Sequence, residues 1–452
     1  MQAIAGKRVL IMGLGRFGGG VGAATFCAQQ GAKQVLVTDL LGEADLTESM
    51  AKLEGLPITY RLGEHREADF ADADLVIVNP AVDRRLNRYL HAAAKAGTPM
   101  VTEIELLLER LPNRDRTIGI TGSAGKSTVT SMIAHALAQH HGRDHVHVGG
   151  NLGGSLLPNL ANIAHDDWVV LELSSFMLAP PTNAPEHAEN VSVWGGIGGG
   201  VVTNIGDNHL DRHGSLDAYV HAKKTILRHQ QHGDWAVLGP TVADWQYETP
   251  ARCVILDKPL HAALQVVGEH NALNAAMAVA ACEQTGMARQ QAIDALANFN
   301  GLPHRLQHVA EHSGRTFYND SKSTTPDAAM LGLDSFARHS VHLILGGYDK
   351  HADLRPLARH AGHHAAAVYT IGQTGHAIAE AAEAVEDGCL VHRCETLEAA
   401  VRHAVASAQA GQVVLLSPGC ASWDQFTSYE QRGRSFGELV LRYTTETGST
   451  GG

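Results

Sequence analysis

Short, nearly unbroken apolar runs recur along the chain, each closed by a polar or glycine residue and followed by a stretch with helical spacing. Arg8-Val-Leu-Ile-Met12, Gln34-Val-Leu-Val-Thr38 and Ala73-Asp-Leu-Val-Ile-Val78 open the series, the last stopped by Asn79-Pro80. Trp168-Val-Val-Leu-Glu-Leu173 stands near the middle; Val341-His-Leu-Ile-Leu345, Ala367-Val-Tyr-Thr-Ile371 and Gln412-Val-Val-Leu-Leu416 stand near the end. Strands that are apolar throughout, separated by helices, predict an α/β protein with mostly parallel sheets buried on both faces. Val129, Met132, Ile133, Ala136 and Leu137 repeat at helical spacing and predict an amphipathic helix beginning near residue 126. The pattern divides into three α/β segments, 1–100, 101–301 and 302–452. The Thr/Gly/Ser-rich tail 444–452 is expected to be disordered, and Pro180 to Gly200 is expected to form a mobile surface loop.

Between strand and helix in the second segment lies Gly119-Ile-Thr-Gly-Ser-Ala-Gly-Lys-Ser-Thr128. Glycines there let backbone N–H groups approach an anion, and the helix N-terminus adds positive potential. Gly122, Ser123, Ala124, Gly125 and Thr128 would form the cradle, Lys126 would reach the terminal phosphates of ATP or GTP, and Ser127 would offer a hydroxyl to magnesium. The spacing is one residue longer than the common form of this loop, so the central segment is read as a P-loop ATPase-type domain written GxxGxxGKS. Glu172, set in an apolar strand, is costly to bury unless it is paired or binds a metal; the alternative is a strand-end acid in water. In the first segment Gly13-x-Gly15-x-x-Gly18 follows a strand, with Asp39 some twenty residues on. This Rossmann-like turn suits NAD and equally the pyrophosphate of a UDP-sugar. The third segment reads as a second Rossmann-like domain. Its loops Asn319-Asp-Ser-Lys322, Gly346-Gly-Tyr-Asp-Lys350 and Ser417-Pro-Gly-Cys-Ala-Ser422 follow strands, where ligands collect in such sheets. His209 and Lys223 by themselves read as ordinary loop and surface residues, and His270-Asn271 and Gly301-Leu-Pro-His-Arg305 as caps and linkers or nucleotide contacts.

With 35 basic and 47 acidic residues in 452, the chain carries a net charge of −12 and has no long basic run. That disfavours nucleic acid as a partner. No apolar stretch is long enough to span a bilayer and the N-terminus reads as a strand rather than a signal peptide, so a cytoplasmic protein is expected. Six cysteines without a CxxC pair read as reduced, mostly buried thiols; the pair Cys389 and Cys394 around His392 is the one alternative, a metal site.

Taken in order, the motifs resemble the Mur ligases, which build the peptide stem of peptidoglycan. The resemblance rests on Gly122-Ser-Ala-Gly-Lys-Ser-Thr128, Glu172-Leu-Ser-Ser-Phe176, Gly301-Leu-Pro-His-Arg305 and Asn319-Asp-Ser-Lys322. Ser417-Pro-Gly-Cys-Ala-Ser-Trp-Asp-Gln-Phe426 and Glu430-Gln-Arg-Gly433 point to the branch that adds D-glutamate. The resemblance implies a monomeric ligase that uses ATP and two magnesium ions to join D-glutamate to UDP-N-acetylmuramoyl-L-alanine through an acyl phosphate. It implies that Lys126 holds the transferring phosphate, that Ser127 and Glu172 bind one magnesium, and that His209 and Lys223, the latter as a carbamate, bind the second. Asn271, Arg305, Asp320 and Lys322 would contact ATP. Leu14, Arg16 and Asp39 would meet the uridine end of the substrate, and Asn151, Ser174 and His209 its muramoyl-alanine end. Thr324, Lys350, Ser422 and Tyr429 would receive D-glutamate. Closure of the domains on their ligands is expected.

Some positions depart from the family pattern. Asn208 stands where an acid precedes the metal-binding histidine, with Asp207 one place earlier. Leu40 and Leu41 replace polar groups, Asn79-Pro-Ala-Val82 a Ser-Pro-Gly sequence, Met177 a glutamine, and Tyr429 a phenylalanine. A sister Mur ligase, a NAD-dependent dehydrogenase and a non-catalytic nucleotide sensor remain open at this level.

Overall fold

A computed structural model describes residues 3–15, 18–83, 87–179, 196–206 and 213–448. Among them are three sheets. The first contains β1 (Arg8–Met12), β2 (Gln34–Asp39), β3 (Ile58–Leu62), β4 (Leu75–Val78) and β5 (Met100–Thr102) in the order β3-β2-β1-β4-β5. All its neighbours are parallel, and the order reverses between β1 and β4, where ligands collect in such sheets. The second sheet contains β6 (Thr117–Thr121), β7 (Val146–Gly150), β8 (Trp168–Glu172), β9 (Gly199–Val202), β10 (Trp235–Leu238) and β11 (Arg252–Ile255). Its order is β11-β10-β9-β6-β8-β7, again wholly parallel. The third contains β12 (Gln307–His312), β13 (Arg315–Asn319), β14 (Val341–Gly346), β15 (Ala367–Ile371), β16 (Leu390–Glu395) and β17 (Val413–Leu416). Its order is β12-β13-β17-β14-β15-β16, parallel except for the hairpin β12–β13.

The unbroken apolar runs have the cause expected of them, burial on both faces. In the third sheet Ile344, Tyr369 and Leu416 enter one core cluster, while their neighbours Leu343, Leu345, Val368 and Leu415 enter another. The first and second sheets share a cluster that includes Ile11, Leu14, Leu107, Leu157 and Leu171. There the helix Gly19–Gln29 comes so close to Ser155 that a Cβ at Gly22 would strike the serine side chain.

The chain forms two compact units, Met1–Lys258 with Leu273–Leu296, and Pro259–Ala272 with Ala297–Gly452. The α/β architecture with three sheets is as expected, but its limits differ in three places. β5 extends the first sheet to Thr102, past the boundary at 100, because Val76–Val78 pair with Met100–Thr102. The Gly-rich end of the Pro180–Gly200 stretch is not a surface loop. Gly199 and Gly200 are buried in β9, and Gly199 lies under the indole of Trp235, where a Cβ would clash; residues 180–195 lie outside the described residues. The final helix, Tyr429–Gly448, carries through the first half of the tail expected to be disordered, since Thr444 is buried and its Oγ1 donates to the Val440 carbonyl at 2.7 Å.

Candidate active site

The glycine loop leaves β6 and opens the helix Lys126–His141. Gly122 has φ 147° and Gly125 φ 81°, a region that favours glycine at both. The loop is strapped by the segment after β9. Thr203 Oγ1 donates to the Ala124 carbonyl at 2.6 Å, Ala124 N donates to Asn204 Oδ1 at 2.9 Å, and Ser123 N donates to the Asn204 carbonyl at 3.0 Å. The hydroxyls of Ser123 and Tyr219 lie 2.8 Å apart. A Cβ at Gly122 would strike Thr203, and one at Gly125 would press on Asn274. These contacts hold the loop backbone in one shape.

Two lysines reach this loop from different helices. Lys126 Nζ donates to the carbonyls of Gly122 at 2.8 Å and Ser123 at 3.0 Å. Lys223, on the helix Leu216–Arg228, is buried; its Nζ donates to the Gly122 carbonyl at 2.7 Å and to Thr121 Oγ1 at 3.3 Å, and lies 4.8 Å from the Tyr219 ring centroid. Burial, and then the charge of Lys126, push the Lys223 amine down to about 6, against an opposing pull from Glu172. Glu172 ends β8 and is itself buried. Asn151 Nδ2 donates to its Oε1 at 2.8 Å, while Oε2 is buried and has no hydrogen-bond partner among the described residues. An orphaned carboxylate oxygen beside a phosphate loop is the kind of donor a hard cation takes, so the residues present fit a magnesium ion.

Other expected positions fall into place unevenly. Ser127 and Thr128 lie half-buried in the first turn of the loop helix. Ser174 caps the short helix Ser175–Leu178, its Oγ accepting from Met177 N at 3.3 Å. Asp39 serves the first glycine turn: its carboxylate accepts from the backbone N–H groups of Leu14 at 2.8 Å, Gly15 at 3.1 Å and Leu41 at 2.9 Å. The tight packing that a dinucleotide turn assigns to its third glycine falls here on Gly20, where a Cβ would strike the carbonyls of Gly13 and Leu14, while Gly18 faces open space. Leu14 is fully buried in the core, so the turn can present its backbone but not its side chain. Arg16, His209 and the neighbouring Asp207 and Asn208 lie outside the described residues.

In the second unit, β13, β17 and β14 are adjacent and parallel, so their carboxyl-end loops converge. Asp320 is buried between them; it accepts from Leu306 N at 3.1 Å, Ser323 Oγ at 2.6 Å and Ser417 Oγ at 2.7 Å. Burial pushes its carboxyl up to about 6 despite those hydrogen bonds. Lys322 Nζ donates to the Tyr429 hydroxyl at 2.7 Å. Lys350 is exposed, its Nζ 4.7 Å from the Trp423 ring centroid, Ser422 is buried, and Thr324 is half-buried. Asn271 is buried and donates to the Val267 carbonyl at 2.7 Å, and Arg305 is exposed.

Arg432 has no role in the sequence reading, yet it ties these loops together. Its guanidinium is buried and donates to Ser321 Oγ at 3.0 Å and to the carbonyls of Ser321, Cys420 and Ala421 at 2.9, 3.0 and 3.1 Å. Burial lowers it to about 10. The signal was present: Arg432, Phe436, Val440 and Thr444 form one buried stripe at four-residue spacing. Thr203, Asn204 and Tyr219 left no comparable pattern, because their partners lie some eighty or more residues away in sequence.

Residues 120–256 match the family profile described as "Mur ligase middle domain", and residues 304–420 that described as "Mur ligase, glutamate ligase domain". The chain is 38% identical to UDP-N-acetylmuramoylalanine–D-glutamate ligase of Koribacter versatilis, over 97% of this chain and 98% of that one. It is 36% identical to the ligase of the same name from Roseiflexus, over 98% and 100%. Among solved structures, UDP-N-acetylmuramate-alanine ligase MurC from Thermotoga maritima shares the fold at a TM-score of 0.57 and 21% identity, covering 97% of this chain and 100% of that one. MurF ligase from the same organism, in complex with ADP, does so at 0.56 and 15%, covering 99% and 100%. With the phosphate loop, its buried acid and both domain profiles in one chain, this protein belongs to the Mur ligase family.

Proposed function

We propose that the chain is an ATP-dependent amide ligase of the MurD type, joining D-glutamate to UDP-N-acetylmuramoyl-L-alanine in peptidoglycan precursor synthesis. The observation that carries this reading is the near-full-length similarity to relatives named for that activity. The phosphate loop and buried acid supply the chemistry it needs. A carboxylate oxygen of the muramoyl-alanine attacks the γ-phosphorus of ATP, and ADP leaves. The amine of D-glutamate attacks the resulting acyl carbon, phosphate leaves, and the nitrogen's excess protons pass to solvent.

In this reading the backbone of Gly122–Gly125 cradles the phosphates, and Lys126 follows the transferring group. Ser127 and Glu172 would hold one magnesium ion, with His209 and Lys223 at a second. The ions would neutralise charge where phosphate and carboxylate meet. Lys223 serves as a carbamate: its nitrogen lone pair attacks CO2, an N–C bond forms, and one proton leaves. An amine held near neutrality by burial is the form that reaction needs. Asn271, Arg305, Asp320 and Lys322 contact ATP; Asn151 and Ser174 the muramoyl-alanine; and the backbone of Leu14 with Arg16 and Asp39 the uridine end. Thr324, Lys350, Ser422 and Tyr429 receive D-glutamate, the cation and hydroxyls matching its carboxylates. No helix among the described residues is long and apolar enough to cross a membrane; we place the reaction in the cytoplasm, where ATP is supplied, and in one copy of the chain.

The test is phosphate release and product mass. Release should require both UDP-N-acetylmuramoyl-L-alanine and D-glutamate, with the product heavier by one glutamyl residue. Equal turnover with L-lysine or diaminopimelate would make it a sister ligase. ATP binding without release for any amino acid would make it a sensor.

A further inference from the structure

The helix Arg355–His364 carries His360 and His364 one turn apart, and Asp334 closes the helix Pro326–Leu333 beside them. His360 Nε2 lies 2.7 Å from Asp334 Oδ1. The two imidazoles stack with centroids 4.0 Å apart and planes 23° apart. His364 Nδ1 lies 2.8 Å from the His360 carbonyl. A neutral ring that donates there keeps its lone pair on Nε2, the arrangement that orients metal-ligating histidines. One ligand atom from each of the three side chains falls within 4.8 Å of the others. Ligands at about 2.0–2.2 Å from a tetrahedral ion stand roughly 3.4 Å apart. Asp334 is exposed and both histidines are only partly buried, so the side chains have room to rotate towards that spacing. The three groups face a hollow of about 380 Å³ whose remaining wall is Leu333, Phe336 and Arg338.

We propose that Asp334, His360 and His364 bind one divalent transition-metal ion, with water or an anion as the fourth ligand. Two imidazoles and a carboxylate suit zinc, nickel or copper, whereas magnesium prefers an all-oxygen shell. Arg338 stands where it would attract an anionic fourth ligand. The ion would clasp the end of one helix to the face of another within the C-terminal unit, so it stabilises that unit and is separate from the proposed ATP chemistry.

The experiment uses the full chain, stripped with chelator and kept in excess Mg2+ so that oxygen-donor sites are filled. Zn2+ is titrated by calorimetry, and thermal unfolding is followed with and without it. The wild type should take up one tightly bound ion and unfold at a higher temperature when loaded. His360→Ala and His364→Ala should each weaken that site by at least about tenfold, by analogy with losses at supporting residues, and abolish the thermal shift. His363→Ala, an exposed neighbour on the same helix, should leave both unchanged. Circular dichroism checks the fold, and His360→Gln with His364→Gln replace the alanine variants should those misfold. Bound Cu2+ should show coupling to two imidazole nitrogens that either histidine variant reduces to one. Equal uptake of tight Zn2+ by the wild type and by the histidine variants would overturn the proposal.

Discussion

Lys126 and Lys223 donate to the same atom, the carbonyl oxygen of Gly122, at 2.8 and 2.7 Å. Burial of the Lys223 amine, and then repulsion from the charged head of Lys126 on the same acceptor, push it down to about 6. The sign follows. The unfolded chain holds this proton up to about 10.5, so between about 6 and 10.5 the native state binds fewer protons and gains stability as pH rises. Carbamate at Lys223 should therefore rise as pH passes upward through about 6. A 13C carbamate resonance from labelled bicarbonate, absent in Lys223→Ala, checks this. That variant should lose nearly all ligase activity and regain part of it with short carboxylic acids; full activity would remove the carbamate from the mechanism.

Asn151 turns Glu172 so that one oxygen is satisfied and the other is left for a cation. Glu172→Gln should lower kcat by at least about a hundredfold. Asn151→Leu should weaken magnesium by about 10–100-fold, as removal of a supporting hydrogen bond does. Mg2+ dependence of the initial rate separates the two. A wild-type magnesium requirement in Glu172→Gln would show that this acid is structural.

At Gly122 a side chain meets both a backbone φ of 147° and the Thr203 side chain. Gly122→Ala should abolish ATP-dependent phosphate release, while the unfolding midpoint moves by only a few degrees because the loop is a small part of the core. Nucleotide binding measured by fluorescence should fall in parallel.

Arg432 satisfies the carbonyls of Ser321, Cys420 and Ala421 from within the core. Each carbonyl left unpaired costs about 1–3 kcal/mol. Arg432→Met should therefore destabilise the chain and raise the KM for D-glutamate more than that for UDP-N-acetylmuramoyl-L-alanine. Arg432→Lys should rescue little, because an ammonium lacks the planar fork. Denaturant unfolding and the ratio of the two KM values measure this.

Glu103 is buried, with Ser155 Oγ donating to its Oε1, and burial pushes its carboxyl up to about 7 from an ordinary 4.5. The native state thus keeps a proton that the unfolded chain gives up, so stability falls as pH rises from about 4.5 to about 7, by on the order of 3 kcal/mol. Glu103→Gln should flatten that slope and be the more stable form at pH 8 in urea unfolding.

Much of this was legible in one dimension. Parallel strands buried on both faces are apolar nearly throughout, so β1, β4, β14 and β17 announced themselves, and the loop at 122–128 stood out because glycines between a strand and a helix, followed by Lys-Ser, suit a backbone that favours glycine at Gly122 and Gly125. Glu172 stood out because an acid in an apolar strand needs a reason. Local composition could not show which partner each side chain meets. Gly199 and Gly200 belong to a strand because β6 and β10 pair with them on either side and Trp235 packs over Gly199, and the tail stayed helical because Thr444 continues the stripe of Arg432, Phe436 and Val440. Sequence alone determined most of the element types and the nucleotide loop, since these depend on residues close together in the chain. The tertiary structure decided the unpartnered oxygen of Glu172, the lowered amine of Lys223, the clasp of Arg432 and the His360–His364–Asp334 cluster. Desolvation and hydrogen bonding act between atoms that are neighbours in space, whatever their separation along the chain.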